Sequence, residues 1–156
     1  MGSGKTTVAR IAAERLGRQV IDSDAVIERA TGRTVREIFA DDGEDAFRSL
    51  ETAALLDALA NPVPAVIAAA GGVVLREQNR IALKQANARV VWLCVRPEVL
   101  VERVTSGGHR PLLDDDPEGT LQRMHDQREA LYREVADAIV LVDHRSPGEV
   151  VEAVLR

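Results

Sequence analysis

The first seven residues, Met-Gly-Ser-Gly-Lys-Thr-Thr, constrain this chain more than any other stretch of it. Gly4, Lys5 and Thr6 match the end of a phosphate-binding loop, in which a glycine and four further residues precede Gly-Lys-Ser/Thr. In such a loop, backbone N–H groups and the positive end of the following helix surround the phosphates. Residues 8–17 have the amphipathic pattern of that helix and end on a glycine. The stretch therefore predicts a nucleotide-phosphate site, whereas a flexible Gly/Ser start or an expression scar would not explain the helix.

The loop pattern begins before this sequence does. Its first glycine would fall two positions before Met1, and the buried strand that normally precedes the loop is missing. Without that strand, its neighbours in the sheet would keep unpaired backbone groups, which are costly when buried. We therefore expect that translation begins upstream or that this is a cut or mis-started gene product. An intact mass of the native protein that matches 156 residues would contradict the upstream start.

Composition limits the classes of protein that this chain can belong to. With 156 residues, 46% of them hydrophobic and 29% charged, we expect a single globular domain over residues 1–156. The net charge of −5 argues against a nucleic-acid partner, because no basic excess is present to neutralise a phosphate backbone. No apolar run is long enough to span a bilayer, and no secretory signal precedes residue 20, so we expect a cytoplasmic protein without a membrane partner. The lone cysteine, Cys94, is interpreted as a small buried hydrophobe.

Strands and helices alternate along the sequence. Apolar runs predict strands at 18–22, 65–69, 89–95 and 138–142, and the helical patterns lie at 8–17, 25–30, 34–40, 44–60, 76–86, from 97, at 118–136 and from 147. The runs at 65–69 and 89–95 are typical of strands covered on both faces. This order predicts a three-layer α/β/α fold with a parallel sheet whose first, central strand is missing.

Four further motifs follow the loop. They are Asp-Ser-Asp at 22–24, Phe-Arg-Ser-Leu-Glu at 47–51, Arg-Pro-Leu-Leu at 110–113 and Arg-Glu-Ala-Leu-Tyr at 128–132. Each is weak alone, but in this order they make the chain resemble the shikimate kinases over nearly its whole length. That family has a P-loop fold like the nucleoside-monophosphate kinases and moves the γ-phosphate of ATP to the 3-hydroxyl of shikimate. The resemblance implies a monomer with substrate-binding helices at about 24–60 and a lid at about 106–118.

The resemblance also implies which residues bind shikimate. Arg48 and Arg128 would hold its carboxylate, as suits planar guanidinium groups that bind carboxylates through two hydrogen bonds. Gly71 and Gly72 would let the backbone approach the ring, and Asp24 would bind the hydroxyls and orient or deprotonate the nucleophile. From the residues alone, Arg48 could equally form a surface pair with the glutamate one turn later, and Asp24 could cap a helix.

The nucleotide residues are implied in the same way. The loop would bind ATP through Gly2, Ser3, Gly4, Lys5, Thr6 and Thr7. Thr6 would bind Mg²⁺ directly and Asp22 would hold it through water, although Asp22 could also cap a helix. Lys5, Mg²⁺ and Arg110 would neutralise the transferring phosphoryl group, with Arg110 arriving on the lid, and Arg103 and Arg145 would flank the adenine.

One position departs from the family pattern, which has three glycines after the strand at 65–69. Here the segment reads Ala70-Gly71-Gly72. If this backbone needs a positive φ or a very close ligand, the Ala70 methyl would cost about 1 kcal/mol or displace the substrate. We therefore expect Ala70 to weaken shikimate binding.

Two other interpretations remain. One is another small-molecule P-loop kinase, such as gluconate kinase or an adenylate-type kinase, against which the motifs at 47–51 and 110–113 argue. The other is a non-catalytic relic that kept the fold after losing half of the loop. Shikimate-dependent ADP release separates these possibilities from shikimate kinase.

Overall fold

Helices and strands alternate through the chain in the computed structural model, which describes residues 2–105 and 116–156. The elements in order are α1 (Lys5–Leu16), β1 (Gln19–Asp22), α2 (Ser23–Thr31), α3 (Val35–Leu59), β2 (Ala65–Ala68), a 3₁₀ turn (Val73–Leu75), α4 (Glu77–Gln85), β3 (Val91–Cys94), α5 (Pro97–Thr105), α6 (Pro117–Val135), β4 (Ala138–Leu141) and α7 (Pro147–Leu155). Every predicted strand is present within two residues of its expected ends.

Helix boundaries follow the capping signals of the sequence. Asp22 caps α2 by accepting from two backbone N–H groups, and Gly32 ends that helix with a left-handed φ of 67°. A capping box between Thr34 and Glu37 begins α3. The predicted break near residue 43 is a kink rather than a loop, because only Gly43 leaves the helical conformation, with φ 84° and ψ 174°.

The strands form two parallel pairs. In the first pair Gln19 lies opposite Ala65 and Asp22 opposite Ala68, and in the second Val91 lies opposite Ala138 and Cys94 opposite Leu141. Within the described residues each strand has one hydrogen-bonded neighbour, and β2 and β3 are largely half-buried. The expectation that both were covered on each face is therefore wrong for these strands.

The chain divides into two compact units. The middle unit is Ala9–Ala88, and the terminal unit is Met1–Val8 together with Arg89–Arg156. The core of the middle unit is formed by side chains from α2 and α3, namely Ile27, Ile38, Phe47 and Ala54. In the terminal unit, Leu121 of α6 packs against Leu100 and Val101 of α5. Whether the two units act as one domain stays a prediction.

No helix in the two described ranges is both long and apolar enough to cross a membrane.

Candidate functional site

The glycine loop at the start of the chain has the conformation of an anion-binding turn. Gly2 and Gly4 have positive φ values of 71° and 80°, and α1 begins directly afterwards at Lys5. A Cβ at Gly4 would meet no heavy atom within 4 Å, so glycine is needed there for its backbone conformation and not for space. The first turn of α1 contains no acidic residue. The positive end of this helix is therefore available to an anion.

A cavity of about 230 Å³ opens beside this loop, within the terminal unit. Its lining comprises Ser3, Gly4, Thr7, Val8, Arg103, Val142, Arg145, Pro147 and Val150. Arg103 donates through Nη1 to the carbonyl of Gly2 and through Nη2 to the carbonyl of Val142, both at 3.4 Å. The cavity thus brings together the predicted phosphate loop and the predicted adenine residues Arg103 and Arg145. Lys5 and Thr6 are the first two residues of α1, beside the lining residues in the chain.

A buried carboxylate organises the segment that follows β4. Asp143, whose side chain is 3% exposed, accepts from the backbone N–H of Arg96 at 3.1 Å and from its Nε at 2.5 Å. Burial alone would raise the pKa of Asp143, but the hydrogen bonds and positive charge of Arg96 hold it below its ordinary value. The segment then enters α7 through a capping box between Ser146 and Glu149, with Pro147 at the start of the helix. These bonds hold Arg145 and Pro147 in the cavity wall.

Three consecutive residues carry polar groups at the carboxyl end of β1, in the middle unit. Asp22 accepts from the N–H of Asp24 at 3.1 Å and from that of Ala25 at 3.5 Å through Oδ1, so it does cap α2. Between the two aspartates, Ser23 is 1% exposed and hydrogen-bonds to the backbone of Ala68 and Ala70, which end β2 and begin the glycine segment. The ends of β1 and β2 therefore lie together, as ligand sites in open α/β sheets require.

Arg48 is fixed by carboxylates and aromatic rings. Its Nη1 donates to both oxygens of Glu51 at 3.0 and 2.9 Å, while Nε and Nη2 donate to Glu44 at 3.2 and 2.9 Å. The guanidinium carbon lies 5.7 and 5.5 Å from the ring centres of Phe39 and Phe47. The Glu51 side chain is only 1% exposed and that of Arg48 12%. The Arg48–Glu51 pair therefore has a buried carboxylate and a half-buried guanidinium, and it is not an exposed surface pair.

The glycine segment lies directly against Arg48. A Cβ built on Gly72 would overlap the Arg48 guanidinium, although Gly72 has an ordinary φ of −82°. A side chain at position 72 would therefore have to displace the Arg48 guanidinium, whereas the backbone conformation of Gly72 suits any residue. Ala70 also has a negative φ, so the expected strain from its methyl is absent and only displacement of a ligand remains possible.

The remaining predicted residues are placed separately. Arg128 is half-buried on α6 of the terminal unit, and its Nε is buried with no hydrogen-bond partner. One turn later, Tyr132 stacks on Trp92 at 5.1 Å between ring centroids. Arg110 and most of the predicted lid, residues 106–115, lie outside the described residues.

Magnesium fits the donor atoms available, although the protein offers no cage for it. Within the described ranges, no group of three or more His, Cys, Asp or Glu side chains could hold a metal. The hydroxyl of Thr6 and the carboxylate of Asp22 are hard oxygen donors. Either donor by itself suits Mg²⁺, because the ion usually keeps several waters and takes its remaining ligands from substrate phosphates.

Sequence reasoning overlooked several residues that hold the site. Glu44 and Phe39 contact Arg48, Asp143 anchors the cavity wall, and Ser23 anchors the glycine segment. Asp143 could have been identified from the sequence, because it directly follows the predicted strand at 138–142, and ligands gather at such strand ends. Ser23 was not singled out because the roles predicted for the Asp-Ser-Asp motif belong to Asp22 and Asp24.

A glycine loop that leads into a helix beside a cavity, in an α/β chain, defines a P-loop nucleotide-binding protein. A family model described as shikimate kinase matches residues 1–156. The chain therefore belongs to the shikimate kinase family, whose members are ATP-dependent kinases.

Individual relatives agree with the family model. Shikimate kinase of Symbiobacterium thermophilum is 42% identical over an alignment 158 residues long, which covers 99% of this chain and 90% of the relative. Shikimate kinase of Thermobifida fusca is 42% identical over 155 residues, covering 99% and 88%. Among solved structures, shikimate kinase from Acinetobacter baumannii in complex with shikimate has a TM-score of 0.93 at 38% identity and covers 99% of this chain and 86% of its own. The shikimate kinase structure from Bacteroides thetaiotaomicron has a TM-score of 0.88 at 29% identity, covering 99% and 91%. The chain thus has the α/β fold of these kinases.

Proposed function

We propose that this chain transfers the γ-phosphate of ATP to the 3-hydroxyl of shikimate, giving shikimate 3-phosphate and ADP. The observation that carries the proposal is Arg48, a guanidinium held by buried Glu51 against Gly72. A planar donor fixed by Glu51 beside a bare backbone suits a small carboxylate, which would replace the exposed Glu44 on Nε and Nη2. The solved relative in complex with shikimate supports the same acceptor.

ATP is assigned to the cavity of the terminal unit. Its phosphates would meet the backbone N–H groups of Gly2, Ser3 and Gly4 and the first turn of α1, where Lys5, Thr6 and Thr7 lie. Its base would lie toward Arg103 and Arg145, the two arginines of the cavity wall. Phosphoryl transfer depends mainly on positioning the reactants and on positive charge beside the transferring phosphoryl group. The N-terminal end of α1 and Lys5 would supply that charge together with Arg110.

Shikimate is assigned to the carboxyl ends of β1 and β2. Arg48 would hold the carboxylate, and Gly71 and Gly72 would let the ring approach the backbone. Arg128, which lies in the terminal unit, is assigned to shikimate on the family resemblance alone. Asp24 would accept a hydrogen bond from the 3-hydroxyl and take its proton as the phosphoryl group arrives.

Thr6, with Asp22 acting through water, would hold Mg²⁺. When bound, the ion would supply positive charge to the terminal phosphates of ATP. Asp22 already fixes the first turn of α2, so its carboxylate is oriented before any ion arrives.

Further features of the function rest on the family alone. We infer that the protein is a cytoplasmic monomer that acts in aromatic amino acid biosynthesis. We also infer that both units belong to one functional domain.

The test is ADP release with shikimate as acceptor, comparing the wild-type chain with Arg48→Lys. Lysine keeps the charge but cannot form the planar pair of hydrogen bonds, so KM for shikimate should rise about tenfold or more while KM for ATP stays unchanged. Arg33→Lys is the matched control, because Arg33 forms exposed ion pairs with Asp41 and Asp42 in the same unit. Wild-type turnover with equal shikimate KM in both variants would contradict the role of Arg48.

A further inference from the structure

Ser23 joins the ends of the two strands of the middle unit through its side chain. Its hydroxyl donates to the carbonyl of Ala68 at 3.3 Å and accepts from the N–H of Ala70 at 3.0 Å. The residue is 1% exposed, so water does not compete for these bonds.

These two bonds occur where the backbone ladder between the strands ends. Asp22 and Ala68 are the last paired residues of β1 and β2, and the chain beyond Ala68 leaves the sheet. Beyond the last paired residues, the Ser23 hydroxyl bonds the backbone on both sides of residue 69, at the carbonyl of Ala68 and the N–H of Ala70. The path of the backbone toward Gly71 and Gly72 is therefore set by one side chain of the neighbouring strand end.

The far end of the glycine segment is anchored as well. Asn79, also 1% exposed, donates through Nδ2 to the carbonyl of Val73 at 2.9 Å. Between the two anchors, Gly72 lies so close to the Arg48 guanidinium that a methyl group would have to displace it. A small shift at Ala70 would thus change the distance between the glycine backbone and the arginine.

We propose that Ser23 is a positioning residue for the acceptor site, which sets the Gly71–Gly72 backbone relative to Asp24 and Arg48. This inference rests on the proposed function, because it takes shikimate to bind at these strand ends. Ser23 touches no reacting atom and acts only through the glycine segment.

Kinetics of Ser23→Ala test the proposal. Removal of the hydroxyl leaves the Ala70 N–H and the Ala68 carbonyl without their partner, so we expect KM for shikimate to rise about tenfold, a factor equivalent to roughly one buried hydrogen bond. KM for ATP should change less than about twofold, since the cavity residues belong to the terminal unit. Ser23→Thr keeps the hydroxyl and should restore KM for shikimate to within about threefold of wild type.

Two further variants separate positioning from general damage. Thr52→Val removes another buried hydroxyl of the same unit, one without a hydrogen-bond partner, and should leave both KM values unchanged. Ser23→Cys fills the position of the hydroxyl with a larger sulfur atom that is only a weak donor and acceptor, so it should behave as Ser23→Ala does even if the alanine variant folds poorly.

Amide hydrogen exchange gives a readout that does not depend on turnover. The Ala70 N–H should exchange slowly in the wild type and in Ser23→Thr, and at least tenfold faster in Ser23→Cys. Wild-type turnover with unchanged shikimate KM in Ser23→Ala and Ser23→Cys would overturn this inference alone. A wild-type chain that binds ATP but does not phosphorylate shikimate would overturn the proposed function, and this inference with it.

Discussion

Burial determines how much the Arg48–Glu51 ion pair contributes to the stability of the protein. The spacing of three residues on a helix predicts a contact, but an exposed pair of this kind contributes only a few tenths of a kcal/mol. In the structure Glu51 is fully buried and contacts a guanidinium that also rests on two aromatic rings. Those rings come from Phe39 and Phe47, on either side of the Gly43 kink, and sequence spacing could not reveal that they converge on one arginine.

Glu51→Ala should therefore destabilise the protein strongly. It leaves Arg48 without its buried counter-charge, and we expect the free energy of unfolding to fall by about 3 kcal/mol or more. Glu44→Ala is the matched control, since Glu44 binds the same guanidinium but its side chain is 63% exposed, and its loss should cost less than about 1 kcal/mol. Urea denaturation measures the free energy of unfolding of both variants. Equal decreases in the two would contradict the claim that the buried carboxylate stabilises the protein more than the exposed one.

Gly72→Ala should disturb substrate binding by pushing Arg48 aside. The added methyl overlaps the guanidinium, so we expect KM for shikimate to rise at least tenfold, the equivalent of about 1.4 kcal/mol. Gly148→Ala is the control, because a Cβ there meets nothing within 4 Å and alanine favours a helix. An unchanged KM in Gly72→Ala would show that Arg48 does not bind the acceptor.

Ala70→Gly tests whether the methyl group of Ala70, at a position where the family has glycine, displaces shikimate. Since Ala70 has a negative φ, glycine relieves no strain and should cost about 1 kcal/mol of stability. We still expect KM for shikimate to fall, because the variant removes a methyl group beside the glycines. If KM stays unchanged in steady-state assays, the methyl does not displace the substrate.

At the scale of elements, capping residues and apolar runs made the fold predictable. Thr34 and Pro147 begin helices where the sequence indicated, and Asp22 caps α2, which begins two residues before its expected start. The 3₁₀ turn at Val73–Leu75 was not predicted, because it depends on anchors from Asn79 and from Arg80, which donates to the carbonyls of Val74 and Leu75. These side chains lie five or six residues beyond the carbonyls that they bind, so the turn residues themselves carry no signal of it.

Asp143 should make the segment after β4 sensitive to acid. Its pKa is lowered in the folded protein, so its contribution to stability is complete above the unfolded pKa near 3.8 and is lost as pH falls through the lower folded value. We expect Asp143→Asn to lose on the order of 1 kcal/mol at pH 7, and the difference from wild type to shrink below about pH 4. Urea denaturation between pH 7 and pH 3 measures this, and a difference that stays constant would contradict the role of ionised Asp143.

For the whole molecule, the order of the motifs along the chain indicated the family more strongly than any single helix, strand or loop did. The loop at 2–7 indicates a nucleotide, whereas the residues around Arg48 and Asp24 narrow the acceptor, and the family match over residues 1–156 agrees with both. Sequence could not reveal how the supporting contacts close around these residues. The contacts from Ser23 and Asp143 join segments that are 47 residues apart in the chain.

The most direct test is the identity of the phosphorylated product. Purified protein is mixed with ATP, Mg²⁺ and one acceptor, either shikimate or gluconate, and the products are followed by ³¹P NMR and mass spectrometry. The proposed function predicts ADP and shikimate 3-phosphate in equal amounts with shikimate, and no more ADP with gluconate than without an acceptor. ADP release that is independent of shikimate, or phosphorylation of gluconate in its place, would contradict it.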